Sequence, residues 1–297
     1  MVENKKHERA AKIIVYMLLT IIALIYIIPF VVIISASLSR ENDLIKYGYE
    51  LIPRNFSLNA YEMIMKNPQQ LGKAYAVTIF VTAVGTLSAI TMTSLTAYPL
   101  SRKDFKWRNI ISFYIYFTML FSGGAIPSYI LISQYLHLKN KIIVLILPLM
   151  MNAWNVMMLR TYFSKIPPSL IEAAKIDGAN EFTVFFRIIL PMSKTGIATI
   201  TLMICLAYWN DWYNCMMYMT NEKIISLQYF LHRTMSNIDA ILRNAESGNM
   251  VNVDISTLPS ETARMAMCIL AAGPMVFISM FFQKYFVGGL SVGAVKG

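Results

Sequence analysis

Charge is scarce in this sequence. Only 14% of its 297 residues are Asp, Glu, Lys or Arg, against about 25% in soluble domains. That deficit excludes an ordinary water-soluble globular chain and suits one that uses lipid as solvent. Cysteine is scarcer still. Cys205, Cys215 and Cys268 each sit in an apolar run without a CxxC pair, and read as structural thiols. His7, His137 and His232 are scattered, so no metal site is expected. The phosphate-cradling pattern GxxxxGK[ST] is missing: Gly288 and Gly293 near the tail are followed by Ala294, without the Lys and hydroxyl. HExxH does not occur, which removes the common metallohydrolase constellation. The sequence has no tandem repeat and no low-complexity tract.

What it does have is apolar length: 57% of residues are hydrophobic. A bilayer core of about 30 Å takes about 20 apolar helical residues. Six segments meet or approach this: Ile13–Ala36, Ala74–Leu100, Ile110–Leu131, Ile142–Phe163, Thr195–Met219 and Ala263–Phe286. The first exceeds the ~7–15 residues of a signal-peptide core and lacks a small-residue cleavage site before a soluble domain. It reads as a retained span. The third contains Ser122-Gly123-Gly124-Ala125-Ile126-Pro127, which should break or kink it, because Gly is permissive and Pro removes a donor. At membrane depth such a break survives only under protein or beside a water-filled cavity. The fold class expected is therefore all-α integral membrane, with six transmembrane helices in a single domain over 1–297.

The net charge of +10 follows topology. Lys5, Lys6, Arg9 and Lys12 precede the first span. Arg102, Lys103, Lys106 and Arg108 lie between the second and third. Positive flanking clusters of this kind stay inside, so both termini are expected in the cytoplasm. The basic surplus then faces anionic inner-leaflet lipid, and nucleic acid is not required. Two outer loops result, 38–73 and 221–262. The first holds a short amphipathic helix near Ser57–Met65. The second is polar, with Gly248 and Pro259.

The inner loop 164–192 carries most information. Pro168 suits a first helical turn, and Gly178 sits where a C-terminal residue with positive φ is wanted. Asn180 can cap a second helix with Glu181 near its positive end, and Pro191 marks entry to the fifth span. Two short helices joined by a tight turn are expected. Small Ala173 and Ala174, the Glu172 carboxylate, and Phe182, Phe185 and Phe186 fit a docking knob. They fit equally an amphipathic helix lying on lipid.

Glu172-Ala173-Ala174, Gly178 and Ile188-x-Leu190-Pro191 resemble the EAA motif of bacterial ABC importer permeases, in which this loop is the cytoplasmic coupling helix between helices 4 and 5. Ser122–Pro127, Leu190–Lys194, Trp209-Asn210-Asp211-Trp212 and the tail Gly288–Gly297 are similar to carbohydrate importers. They resemble the maltose-type second permease and, more closely, its oligosaccharide or polysaccharide branch. Thr195 stands where that family often has Pro, which softens the helix entry. The resemblance implies half of a heterodimeric pore, built with a second permease, two ATP-binding subunits and an extracytoplasmic solute-binding protein. ATP and Mg would be bound by partner subunits, with no cofactor in this chain. It also implies ATPase coupling through Glu172, Ala173, Ala174, Asp177 and Gly178. The cargo would be an oligosaccharide, uronic-acid-containing or neutral.

For the sugar path, aromatic faces and bidentate polar groups are the chemistry to seek. Asn152, Trp154 and Asn155 lie in the fourth span, and Trp209, Asn210 and Asp211 in the fifth. Polar groups within a membrane usually face protein or a water-filled path. Trp and Tyr also serve as interface anchors, the reading preferred for Trp212 and Tyr213, and Asn also glues helices. Arg264 is one candidate partner for Asp211. The stretch Asn237–Asn252 is a candidate contact with the binding protein. Two rivals are a secondary transporter, which needs more buried ionisable groups than Asp211, Glu261 and Arg264, and a non-transporting scaffold.

Overall fold

In this computed structural model the chain is described over residues 2–246 and 260–294, with side chains over 12–244 and 260–283. Among the described residues the regular structure is helical, and a single isolated bridge, Ser39 to Phe56, stands in place of a sheet. The α-helices are α1 Val2–Ser37, α2 Glu41–Tyr47, α3 Asn59–Ile64, α4 Pro68–Ser101, α5 Arg108–Leu120, α6 Ala125–Ile130 and α7 Ala153–Phe163. They continue as α8 Pro168–Ile176, α9 Glu181–Val184, α10 Leu190–Met192, α11 Lys194–Trp209, α12 Tyr213–Tyr218, α13 Leu227–Glu246 and α14 Glu261–Ala294. Contacts divide the chain into two compact units, Met1–Pro68 with Leu231–Gly273 and Gln69–Phe230 with Pro274–Gly297.

In the first unit, α1 is apolar on every face beyond Lys12, and none of its most apolar stretch is covered by protein. A helix that is hydrophobic all round wants lipid or an apolar partner. The short helix expected near residue 60 is α3, which buries Ala60 and Ile64 and pairs the Tyr61 hydroxyl with that of Ser37 at 3.0 Å. Glu41 supplies a tie that the sequence reading did not foresee. Its carboxylate, only 8% exposed, accepts bonds from Ser260 Oγ, the backbone N–H groups of Glu261 and Thr262, and Thr262 Oγ1. The backbone donors belong to the first turn of α14, where a helix cannot satisfy its own N–H groups and favours negative charge. A partner 220 positions away leaves no local pattern to read.

Helix α13 falls where the sequence reading had a polar outer loop. Leu227, Phe230, Leu231 and Ile238 are all buried. The spacing from Leu227 to Leu231 to Ile238 is helical, and the intervening Gln, His, Arg and Asn residues masked it. Residues 247–252 of the candidate binding-protein contact lie outside the described residues.

In the second unit three helical passages are broken. Phe121–Gly124 separates α5 from α6 with a bend of 110°, at the Gly-rich stretch expected to break. The fourth passage differs from the single helix expected over 142–163. Two 3-10 turns, Ile142–Leu145 and Leu147–Leu149, precede α7 at a bend of 51°. Pro148 has no N–H to give, and β-branched Ile142, Ile143 and Val144 tolerate α-helix less well. The fifth passage, expected over 195–219, stops at Trp209 and resumes at Tyr213. Before it, α9 leads through a π-helical turn, Phe185–Ile189, to an 83° bend around Ser193.

Close approach holds α4 and α11 together. A Cβ on Gly85 would lie 2.6 Å from the Tyr208 ring, so only glycine fits there. The Tyr208 hydroxyl, fully buried, donates to the Ile146 carbonyl at 2.8 Å. A hydroxyl in a low-dielectric interior needs such a partner.

Candidate functional site

The coupling-loop residues form the helix–turn–helix that the sequence suggests. Pro168 opens α8, and the helix closes on a Schellman motif: Gly178 N–H donates to Lys175 O and Ala179 N–H to Ala174 O. Gly178 adopts φ +81°, a left-handed conformation that side chains resist. Asn180 Oδ1 then accepts from Thr183 N and Thr183 Oγ1, capping α9.

Glu172, Ala173, Asp177 and Gly178 are exposed and Ala174 is half-buried. Beneath them Ile171 anchors α8, with Val184, Phe185 and Ile189 buried further on. Glu172 makes no hydrogen bond or ion pair within the described residues. Ile176 and Phe182, at 86% and 71% exposure, present large apolar side chains on the same loop.

A polar cluster not foreseen from sequence joins this loop to the end of α4. Lys175 Nζ lies 2.6 Å from Glu181 Oε1 and 3.6 Å from Asp104 Oδ2. Arg102 bonds both oxygens of Asp104, and the Tyr98 hydroxyl donates to Glu181 Oε2. The Arg102 bonds hold the Asp104 carboxyl down at about 2. Tyr98 and Phe185 rings meet at 5.3 Å between centroids. The charges are spread over three segments, and only their alternating sign hints at pairing.

The candidate pathway residues fare unevenly. Asn152 caps α7 by accepting from Asn155 N at 3.1 Å. Asp211 accepts from Asn214 N and Asn214 Nδ2, closing the first turn of α12. Asn210 donates to Leu206 O and accepts from Gln228. Such side chains compete with helical hydrogen bonds, which explains the break at 210–212. Trp209 is 2% exposed and forms part of a wall, beside a cavity of about 350 Å³ between α4, α11 and α14. Trp154 is exposed, and the Asn155 carboxamide makes no bond among the described residues. Two contacts run the fourth passage antiparallel to α11: the close approach of Tyr162 in α7 to Gly196, and the Tyr208 bond to Ile146 ahead of α7. They bring the two residue sets to the same end of that pair.

Asp211 and Arg264 each have other partners. Arg264 bonds Asp239 at 2.8 Å and Glu261 at 2.6 Å, so Asp211 takes its compensation from amide donors. Among the described residues no group of three His, Cys, Asp or Glu could hold a metal.

An all-helical membrane protein with broken passages and an exposed helix–turn–helix fits a class, that of transporter permeases. Residues 85–292 match the family described as "Binding-protein-dependent transport system inner membrane component", and the chain belongs to it. It is 36% identical over 98% of its length, and 99% of the relative, to the polygalacturonan/rhamnogalacturonan transport system permease protein YtcP of Bacillus subtilis. It is 28% identical to that organism's melibiose/raffinose/stachyose import permease protein MelC, over 96% of both chains. A crystal structure of a bacterial ABC transporter involved in the import of the acidic polysaccharide alginate aligns with TM-score 0.75 and 29% identity. The alignment covers 94% of this chain and 97% of that one. The protein is thus a multi-pass inner-membrane permease component of an ATP-driven importer that works with ATPase subunits and a solute-binding protein. It is not the ATPase itself, and the secondary-carrier and scaffold readings are set aside.

Proposed function

We propose that this permease pairs with a different permease to form one pore, powered by two ATP-binding subunits, for acidic, uronic-acid-containing oligosaccharides. The observation that carries the coupling is Glu172, a carboxylate on an exposed helix face with no partner among the described residues. Such a group is free to meet a basic group on another subunit. Ala173 and Ala174 keep that face low, and Asp177 and Gly178 end the helix so that it protrudes. Support for the cargo is that two relatives of this chain handle polygalacturonan/rhamnogalacturonan and alginate. The melibiose/raffinose/stachyose relative favours a second reading, a neutral oligosaccharide.

Six passages cross the membrane in this reading: 13–36, 74–100, 110–131, 142–163, 195–219 and 263–286. Both termini and α8 are cytoplasmic, supported by the basic clusters at 5–12 and 102–108. Trp154 and Asn155 present free side chains to the sugar. Trp209 and Asn210 line the wall, and Asn152 and Asp211 fix the helix ends that shape it.

The test is ATP hydrolysis by the reconstituted assembly with its binding protein, across trigalacturonate, trimannuronate, raffinose and maltotriose. Stimulation by the acidic sugars alone is expected. Stimulation by the neutral ones alone selects the second reading, and flat rates in an intact assembly contradict both.

A further inference from the structure

We propose that Lys175 is a positioning residue that latches α8 to the end of α4, so that displacement of the coupling helix moves α4 with it. The inference rests on the coupling-loop reading above and adds the route by which the loop's movement enters the membrane.

The geometry is specific. The turn between α8 and α9 hinges at Gly178, so the two short helices are joined by a conformationally permissive link. Lys175 spans that link by pairing with Glu181, the first residue of α9. The same ammonium reaches Asp104 in the segment that follows α4. Glu181 in turn accepts from Tyr98 of α4, and Asp104 is held by Arg102. Five side chains thus bind three segments into one body beside a cavity of about 450 Å³ walled by Tyr98, Arg102, Asp104, Glu181 and Phe182.

Among the described residues, Lys175 is the one side chain of α8 with an ion pair or hydrogen bond to the rest of the chain, and it makes two, to Glu181 and Asp104. The region after the turn is held independently, through Tyr98 against both Phe185 and Glu181. Removing Lys175 therefore strips α8 of its polar tie, leaving the buried Ile171 as its anchor, while α9 stays in place. The pair itself is half exposed, with Lys175 at 39% and Glu181 at 53%. Pairs in that setting add little to stability, so the latch acts on geometry and its loss should spare the fold.

The experiment measures sugar moved per ATP hydrolysed in the full reconstituted assembly, with trigalacturonate and raffinose both supplied so that either cargo is read. Lys175→Met should copurify with the ATP-binding subunit and lower the ratio about fivefold, in the range for residues carrying coupling between sites. Lys175→Arg should restore it, since a cation then reaches both carboxylates again. Tyr98→Phe, which deletes one hydroxyl, should lower the ratio by less. Lys103→Met, an equal loss of charge in the neighbouring segment, should leave it unchanged. A wild-type ratio in Lys175→Met overturns the latch, as does an equal fall in Lys103→Met. Glu172→Lys is assayed in parallel. If it still copurifies and transports, the coupling-loop reading fails. If it does not, and Lys175→Met transports normally per ATP, the latch alone fails.

Discussion

The inner loop and the break after α11 are both places where polar residues interrupt an apolar chain, and they use their carboxylates in opposite ways. In the loop, the fold is secured by other groups: Gly178 turns the chain, Asn180 caps α9, and Lys175 pairs with Glu181. Glu172 is left exposed and unpaired. In the break, Asp211 is consumed internally by the amide donors of Asn214. A motif carboxylate with no hydrogen bond or ion pair among the described residues suits the contact with another subunit proposed above. A carboxylate bonded to the amides of the next helical turn suits a role in shape. The same residue type thus divides by hydrogen-bond bookkeeping into a contact and a support.

The contrast can be broken at either end. The largest effect should come from Glu172→Lys, which places like charge against the basic group expected on the ATPase. Affinity for the ATP-binding subunit should fall about 100-fold or more, with no change in the thermal midpoint of the isolated permease. A shifted midpoint would mean that Glu172 supports the fold after all. Asp211→Ala should do the reverse. It leaves the start of α12 without its acceptor and should cost about 1–3 kcal/mol of stability, seen as a lower midpoint in detergent, while ATPase copurification persists. An unchanged midpoint would return Asp211 to the group of free pathway residues.

Smaller effects sharpen the picture of the loop. Gly178→Ala forces a side chain into the left-handed region and should cost about 1 kcal/mol. Protease accessibility around 177–180 should rise, and Asn180→Ala should not reproduce that pattern. The smallest effect is titration at Asp104. Its carboxyl is held at about 2 by the Arg102 bonds, below its unfolded value of about 3.9. Its contribution is therefore present above about pH 4 and lost as pH falls through about 2. Because the group is 59% exposed, solvent screening keeps the contribution small. Asp104→Asn should flatten that part of the pH–stability curve, and an identical curve would show that the Arg102 bond adds nothing.

The fold class, the break at Phe121–Gly124 and the turn at Gly178 were legible because each follows from local composition: apolar length, paired glycines, and the Pro168 to Asn180 spacing. The breaks at 150–152 and 210–212 were hidden by hydropathy, which is averaged over a window and cannot see an Asn or Asp capping a helix inside it. Helix α13 was hidden the other way, since its polar residues outweighed a stripe that shows only at helical spacing. The Glu41 tie and the Tyr98–Asp104–Lys175–Glu181 cluster join residues far apart in sequence, and no local rule predicts them. In the inner loop Glu172, Ala173, Asp177 and Gly178 are exposed and Ala174 is half-buried. Of the pathway candidates, Asn152 and Asp211 bond the first turns of neighbouring helices.

The most direct test of the account is the ATPase response of the reconstituted assembly to its sugar-loaded binding protein, in wild type and in Glu172→Lys. The account predicts strong stimulation in the wild type and none in the variant, with the variant permease folded and inserted. Equal stimulation in both would contradict the claim that this exposed carboxylate carries the coupling between the ATPase and the pore.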